Sequence, residues 1–469
     1  MPFIIPANSA LASGSFQVDN SCRFNAPDDA YMSITPGSNM NLKRWTWSSW
    51  IKRGGQAGEQ NIFCANNASS DYQNLMIDAN GQVNFLNYVS NNVRGRKQTT
   101  ARLRDSSAWY HIVCVWDSAN STAEDRMQIY INGVRQTAFG DNDNPAEDQV
   151  GQLGESGVAT LVGAFVGTSA NFWDGYMAEV VLIDGSALAP TSFGEFDEDS
   201  GIWKPIDVSG LTFGTHGFYL DFEASDNLGN NANGGADLGE TNIAATDQST
   251  DTCTNNFATL NILNMNNSGY VFSEGNLKGA VSGAWLGGTS TFFVNKGKWY
   301  WEVKYGSGNF GLGIGQAETN ATAIKLVSTA NHGYVSYHVG GFEFFQNGSD
   351  TFNRTNNGNI GSYGSQATSG QIVMIAYDAD SGKLFAGRQG TFFNSSNPAN
   401  GTSPMFTVTS AAYFTPSLSI EGGVHEMNFG SPPYSESGGE TDADGYGNFA
   451  YEPPSGFFSL CTKNLAEYG

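Results

Sequence analysis

The sequence predicts an all-β protein, two antiparallel β-sandwiches in tandem with extended terminal segments. Three observations carry this. At 469 residues the chain is two to three times the length of a typical domain, enough for two separate cores. Its 58 glycines against 14 prolines, with 13% aromatic and only 14% charged residues, describe many short strands joined by turns and little helix. Short apolar–polar alternations recur between Asn-Gly and Gly-rich turn signals, as antiparallel sandwiches require.

Residues 1–20 read as an N-terminal arm and 21–198 as the first sandwich. Within 45–51, Trp45, Trp47 and Ser49 fall on one strand face and Thr46, Ser48 and Trp50 on the other, so both faces are expected to be partly covered. Leu75 to Phe85 reads as a hairpin turning at Ala79, Asn80 and Gly81, and Met127 to Arg135 as another turning at Asn132–Gly133, since such loops need positive φ.

The order of segments in this half resembles the laminin-G-like, concanavalin-A-like jelly roll. The resemblance rests on Cys22–Ala26 leading to Asp29–Ile34, then Trp45–Ile51, Trp109–Val113, Ile129–Gly133 and a closing strand from Phe172 to Val180. Residues 199–268, rich in Gly, Asn and Asp, read as a connector with one strand, the alternation of Phe218, Leu220 and Phe222. Between 269 and 430, Lys296–Lys304, Ile372–Phe385, Tyr413–Ile420 and Glu426–Gly430 together resemble a SPRY domain, which implies a second β-sandwich and a recognition surface in place of a catalytic one. Trp299 and Trp301 mark that fold as core residues, which leaves binding to the loops. Residues 431–469 read as a C-terminal strap over a sandwich or a neighbouring subunit, with aromatics spaced around Pro453–Pro454. Phe3–Pro6, Phe16–Asn20, Trp203–Pro205 and the Pro453–Phe457 stretch together resemble virion proteins of marine tailed bacteriophages.

A net charge of −23 repels nucleic-acid phosphates and anionic lipid headgroups, so neither is an expected partner. Met1–Pro6 lacks the basic flank and apolar run of a signal or membrane-spanning segment, so a product made in a host cytoplasm and carried in a virion is expected. The five cysteines are widely spaced and never in CxxC pairs, a pattern of neither a disulfide framework nor a zinc site; Cys114 reads as a core filler.

Catalytic patterns are sparse. Glycosidases need two carboxyl groups flanking the scissile bond, and only Glu195, Asp197 and Asp199 would share a strand face. The plainer reading is solvated acids beside Gly194 and Gly201. The histidines 111, 216, 332, 338 and 425 form no HxxxH or HExxH pattern, and Gly311 to Gly315 precedes no helix pattern that would make a phosphate loop. No cofactor is expected apart from calcium at Asp141 and Asp143, in an oxygen-rich stretch that equally reads as an ordinary turn. Trp173, Trp285 and Tyr363 are loop-proximal aromatics that could stack on a sugar or simply pack in their own sandwiches. The resulting expectation is a non-enzymatic virion surface protein, a fibre, spike or capsid decoration, binding host-surface glycan or protein. Its expected partners are other virion proteins and copies of itself, a trimer first. A polysaccharide depolymerase and a capsid cement protein are the alternatives.

Overall fold

The computed structural model describes residues 16–55, 58–165, 171–265, 269–316, 341–355, 358–408, 413–436 and 438–469. They divide into two compact units, one ending at Thr254 and one beginning at Asn255. Each is built almost wholly from antiparallel strands, as expected, with Thr462–Tyr468 the one α-helix among the described residues.

The first unit packs two eight-stranded sheets. One runs Val134–Arg135, Met127–Ile131, Trp109–Asp117, Arg44–Arg53, Gly175–Asp184, Ser21–Phe24, Gln248–Ser249, with Phe218–Leu220 also on Gly175–Asp184. The other runs Phe139–Asp143, Asn92–Arg102, Gln82–Val89, Asp71–Ile77, Gln60–Ala68, Thr160–Val162, Tyr31–Ile34, Gly239–Thr241. Between them Trp47 meets Phe63 at 4.6 Å and Trp45 meets Phe85 at 5.5 Å between ring centroids. Both tryptophans are fully buried. The alternation at 45–51 puts Trp50 on the opposite face, where it stacks on His111 and is covered by Val18 and Trp203. Both faces of this strand are thus buried, which is why it carries aromatic residues on each.

The expected connector is not a connector through its first part. Trp203–Pro205 pairs with Gly194–Phe196, and Phe218–Leu220, Gly239–Thr241 and Gln248–Ser249 each add to a main sheet. Only from Asn255 does the chain join the second unit, where Leu260–Met265 pairs with Leu286–Ser290. Two- and three-residue strands between Asn/Gly turns leave no period to detect. The segment is tied down by buried cations: Arg23 donates to Thr246 O, and Lys52 meets Asp251 at 2.6 Å. The described end of the arm is fixed as well, Val18 N donating to Thr254 Oγ1 at 3.1 Å.

In the second unit, Lys298–Gln316 and Phe414–Asn428 run antiparallel along most of their length. Lys298–Gln316 pairs with Ile372–Asp378 through its first half and with Gly341–Asn347 through its second, passing from one layer to the other. The change of partner falls at register shifts around Ser307. Gly308 allows it, with φ of 82° and no room for a Cβ, which would lie 2.6 Å from Glu421 O. Trp299 and Trp301 are fully buried in the core.

The C-terminal strap lies on its own sandwich. Phe458–Ser459 pairs in parallel with Trp299–Tyr300, and Tyr434, Phe449 and Phe457 cover Tyr300, Met374 and Phe385. The buried Glu302 carboxylate accepts from the backbone N–H of Ala450 at 2.9 Å and of Tyr451 at 3.0 Å, which fastens the strap.

Candidate functional site

The second sheet of the first unit supplies the site. Directly paired residues share a face. Phe63, Leu75 and Phe85 are in register and belong to the core, as do Ile77 and Val83. The alternate rows therefore look outward: Asn66, Tyr72, Tyr88 and Val93; Cys64, Asn74, Leu86 and Arg96; Asn61, Met76, Asn84 and Gln98. Seven of these twelve outward positions are amides or tyrosines, on strands whose inward positions are mostly aliphatic and aromatic.

Their geometry is ordered. Asn74 Nδ2 donates to Asn61 Oδ1 at 2.7 Å, and Asn61 Nδ2 donates to Asn171 O at 3.2 Å. Asn61, Asn74 and Asn84 are 0%, 2% and 1% exposed, yet Asn74 Oδ1 has no donor among the described residues. A buried amide oxygen without a partner is costly; closed to solvent, it orders the face from beneath, and the part of the face open to a ligand is the half-buried Tyr72 and Tyr88. Beside the amides, Tyr72 and Tyr88 lie 5.1 Å apart at 33°, both half-buried, and Phe165 meets Tyr72 edge-on at 5.2 Å. The cation on this face is matched: Arg96 Nη1 meets Asp141 Oδ2 at 3.0 Å, Arg96 Nε leans on Asn84 Oδ1 at 3.4 Å, and Asp143 lies opposite Arg96 in register. Amides that offer both donor and acceptor, next to apolar ring faces and without an unmatched cation in these rows, suit a neutral polyhydroxylated ligand.

The aromatics expected to contact ligand fall elsewhere. Trp173 is fully buried in the first core and Tyr363 is 7% exposed in the second, so neither offers a ring face to a ligand. Their loop-proximal positions reflect strands entering the sandwich, not its rim. Trp285 stays half-buried, stacked on Phe345 at 4.7 Å and 22°, with the Arg354 guanidinium 4.3 Å from the same ring. Asp141 and Asp143 lie in the edge strand Phe139–Asp143, where Asp141 is taken by Arg96. Among the described residues no group of three or more His, Cys, Asp or Glu is placed to hold a metal ion.

The acidic run is a hairpin. Lys204 Nζ lies 3.3 Å from Glu195 and 3.2 Å from Asp197. Asp197 also accepts from the Ser200 N–H and hydroxyl, and these hydrogen bonds with Lys204 hold its carboxyl down at about 2. A general acid needs the opposite shift. His111 is buried, accepts the Trp203 indole N–H on Nδ1 at 3.0 Å, and so donates from Nε2 to Ser48 Oγ at 2.8 Å. Burial pushes it down to about 3, the state of a fixed neutral ring. His425 is likewise buried and pushed down to about 3. His332 and His338 lie outside the described residues.

Residues 26–191 match the family model described as the concanavalin A-like lectin/glucanases superfamily, in its laminin-G form. The first sandwich is a concanavalin-A-like domain. Among solved structures the chain is similar to a native heptameric SAP-like pentraxin from Limulus polyphemus, at 15% identity over 37% of this chain and 80% of the other, TM-score 0.28. It is also similar to the SPRY domain of human HERC1, at 12% identity over 36% of this chain and 96% of the other, TM-score 0.27. A third is the TRIM65 PSpry domain, at 14% identity over 36% and 90%, TM-score 0.27. No curated protein sequence matches the chain.

The amide row escaped the sequence reading. Its signal was nevertheless present in Tyr72, Asn74 and Met76 alternating with Gln73, Leu75 and Ile77, and in Asn84, Leu86 and Tyr88 on the next strand. Which alternate set faced outward needed the register.

Proposed function

We propose that this chain is a non-enzymatic surface protein of a bacteriophage particle that binds a neutral glycan on the host surface through the outward amide face of its concanavalin-A-like domain. The observation that carries the binding role is the half-buried ring pair Tyr72 and Tyr88 on the outward face, held beside an ordered row of amides. The particle role is supported by the resemblance of the terminal and linker motifs to virion proteins. Fibre, spike and capsid decoration are the places such a protein would occupy, as a symmetric oligomer with a trimer as the first form to test.

Mass spectrometry of purified particles is expected to find the chain, and the purified protein is expected to slow particle adsorption to host cells. Tyr72→Ala and Tyr88→Ala together should abolish that competition, since each stacked ring contributes about 0.5–1.5 kcal/mol beyond its buried area. Absence from particles, or competition untouched by the double substitution, would reject the proposal. New reducing ends from incubated polysaccharide would replace it with a depolymerase.

A further inference from the structure

The concanavalin-A-like domain has a second concavity, separate from the amide face and lying at one end between its sheets. It is a cleft of ≈ 240 Å³ walled by Ile34, Pro36, Met40, Leu182 and Phe218. Leu182 and Phe218 are core residues, 2% and 0% exposed, so the floor of the cleft is the hydrophobic interior itself. Strand ends create it: Tyr31–Ile34 and Thr160–Val162 stop on one side, Gly175–Asp184 and Phe218–Leu220 on the other.

The mouth carries a polar pair. His216, half-buried, lines the cleft, and its Nε2 lies 2.9 Å from Ser38 Oγ. Asp184 does not complete a triad. Its carboxylate accepts the Asn41 N–H at 2.7 Å and the His216 backbone N–H at 3.3 Å, away from the ring. None of the residues lining the cleft is Lys or Arg. An apolar floor, an imidazole–hydroxyl pair and a nearby carboxylate without a cation exclude anionic heads and leave room for a neutral one.

We infer that this cleft binds a short aliphatic molecule with an uncharged polar head, an alcohol or an ester. The chain lies against Ile34 and Pro36, above Leu182 and Phe218, and the head bonds to the Ser38–His216 pair. An apolar cavity of about 150 Å³ holds benzene, so this one has room for roughly six carbons and a head group. The site is independent of the glycan face, and Tyr72→Ala should leave it intact.

The test uses the full chain and follows the His216 ring signals by NMR during titration with 1-hexanol, hexanoate and glucose at pH 8. Saturable shifts with 1-hexanol are expected, with hexanoate at least tenfold weaker and glucose silent. Ser38→Ala should weaken hexanol binding by about 2–10-fold, the range of one neutral hydrogen bond. Ala236→Trp plugs the mouth from an exposed position and should abolish binding; Thr35→Trp, also exposed and at the mouth, is an independent plug should the first lower the Tm. An unshifted His216, hexanoate binding as tightly as hexanol, or both plugs binding normally would overturn the inference.

Discussion

Asp251→Ala is expected to destabilise the concanavalin-A-like domain by about 3–5 kcal/mol, because it removes the carboxylate that meets a buried ammonium. Lys52 and Asp251 are each 1% exposed and meet at 2.6 Å, and the Trp109 indole donates to the other carboxylate oxygen at 3.0 Å. Burial is the largest influence on Lys52 and lowers its pKa, with Asp251 opposing, so the pair sits where desolvation outweighs attraction. The pair fixes the 249–254 stretch to the strand Arg44–Arg53 and thereby holds the last strand of the sheet, Gln248–Ser249, against Ser21–Phe24. Removing both charges, as Lys52→Met with Asp251→Leu, should recover most of the loss, apart from the indole bond. Urea unfolding of the two variants and the unaltered protein tests this. A loss under about 1 kcal/mol for Asp251→Ala would mean that the pair behaves like an exposed one.

The second large effect is a pH dependence of stability set by Glu179. This residue lies in the bulge of Gly175–Asp184, where the strand changes partner from Ser21–Phe24 to Phe218–Leu220. It is 6% exposed with φ of 51°, and its carboxylate accepts the Tyr219 hydroxyl at 2.7 Å. Burial pushes it up to about 8, the Tyr219 hydrogen bond opposes, and Asp221, Asp207 and Glu223 add to the rise. The folded state therefore keeps a proton that the unfolded chain releases near 4.5. Its contribution to stability is complete below that value and lost as pH rises toward 8. His111 works in the opposite direction: with the folded ring pushed down to about 3, its contribution is complete above 6.5 and lost in acid. Between pH 6.5 and 8 Glu179 should contribute a fall of about 2 kcal/mol, beside a smaller fall of the same sign from Glu302, which burial pushes up to about 7. Glu179→Gln should remove the larger part of the slope and leave the Glu302 part. Equal slopes in the two proteins, measured by urea unfolding at pH 6.5 and 8, would show that Glu179 ionises freely in the fold.

Much of this architecture is legible in the sequence. Trp45, Trp47, Trp299 and Trp301 announce strands because bulky residues at a spacing of two need a core on one side. The Asn132–Gly133 turn, with φ of 49° and 76°, is readable because few residues accept those angles. The strap from 431 onward is readable as extended, and its seat on its own sandwich follows only from contacts between distant residues, such as those of Glu302, a buried acid that accepts from Ala450 and Tyr451. What was not legible depends on register. Strands of two or three residues in 199–254 have no period, so their pairing was hidden. The outward amide face was hidden too, because Asn61, Asn74 and Asn84 look like loop-forming residues until their strands are aligned. Trp173, which the sequence leaves open between ligand contact and packing, is decided by burial: its loop position in sequence is a core position in space.

The account turns on whether the outward amide face of the concanavalin-A-like domain binds uncharged glycan. The direct measurement is isothermal titration of the full chain, and of the Tyr72→Ala, Tyr88→Ala double variant, against the strongest ligand from an array of neutral and acidic glycans. The account predicts a neutral glycan as the strongest ligand and about a tenfold or greater loss of affinity in the double variant, since each stacked ring contributes about 0.5–1.5 kcal/mol beyond its buried area. An acidic glycan as the preferred ligand, or equal affinity in both proteins, would contradict it.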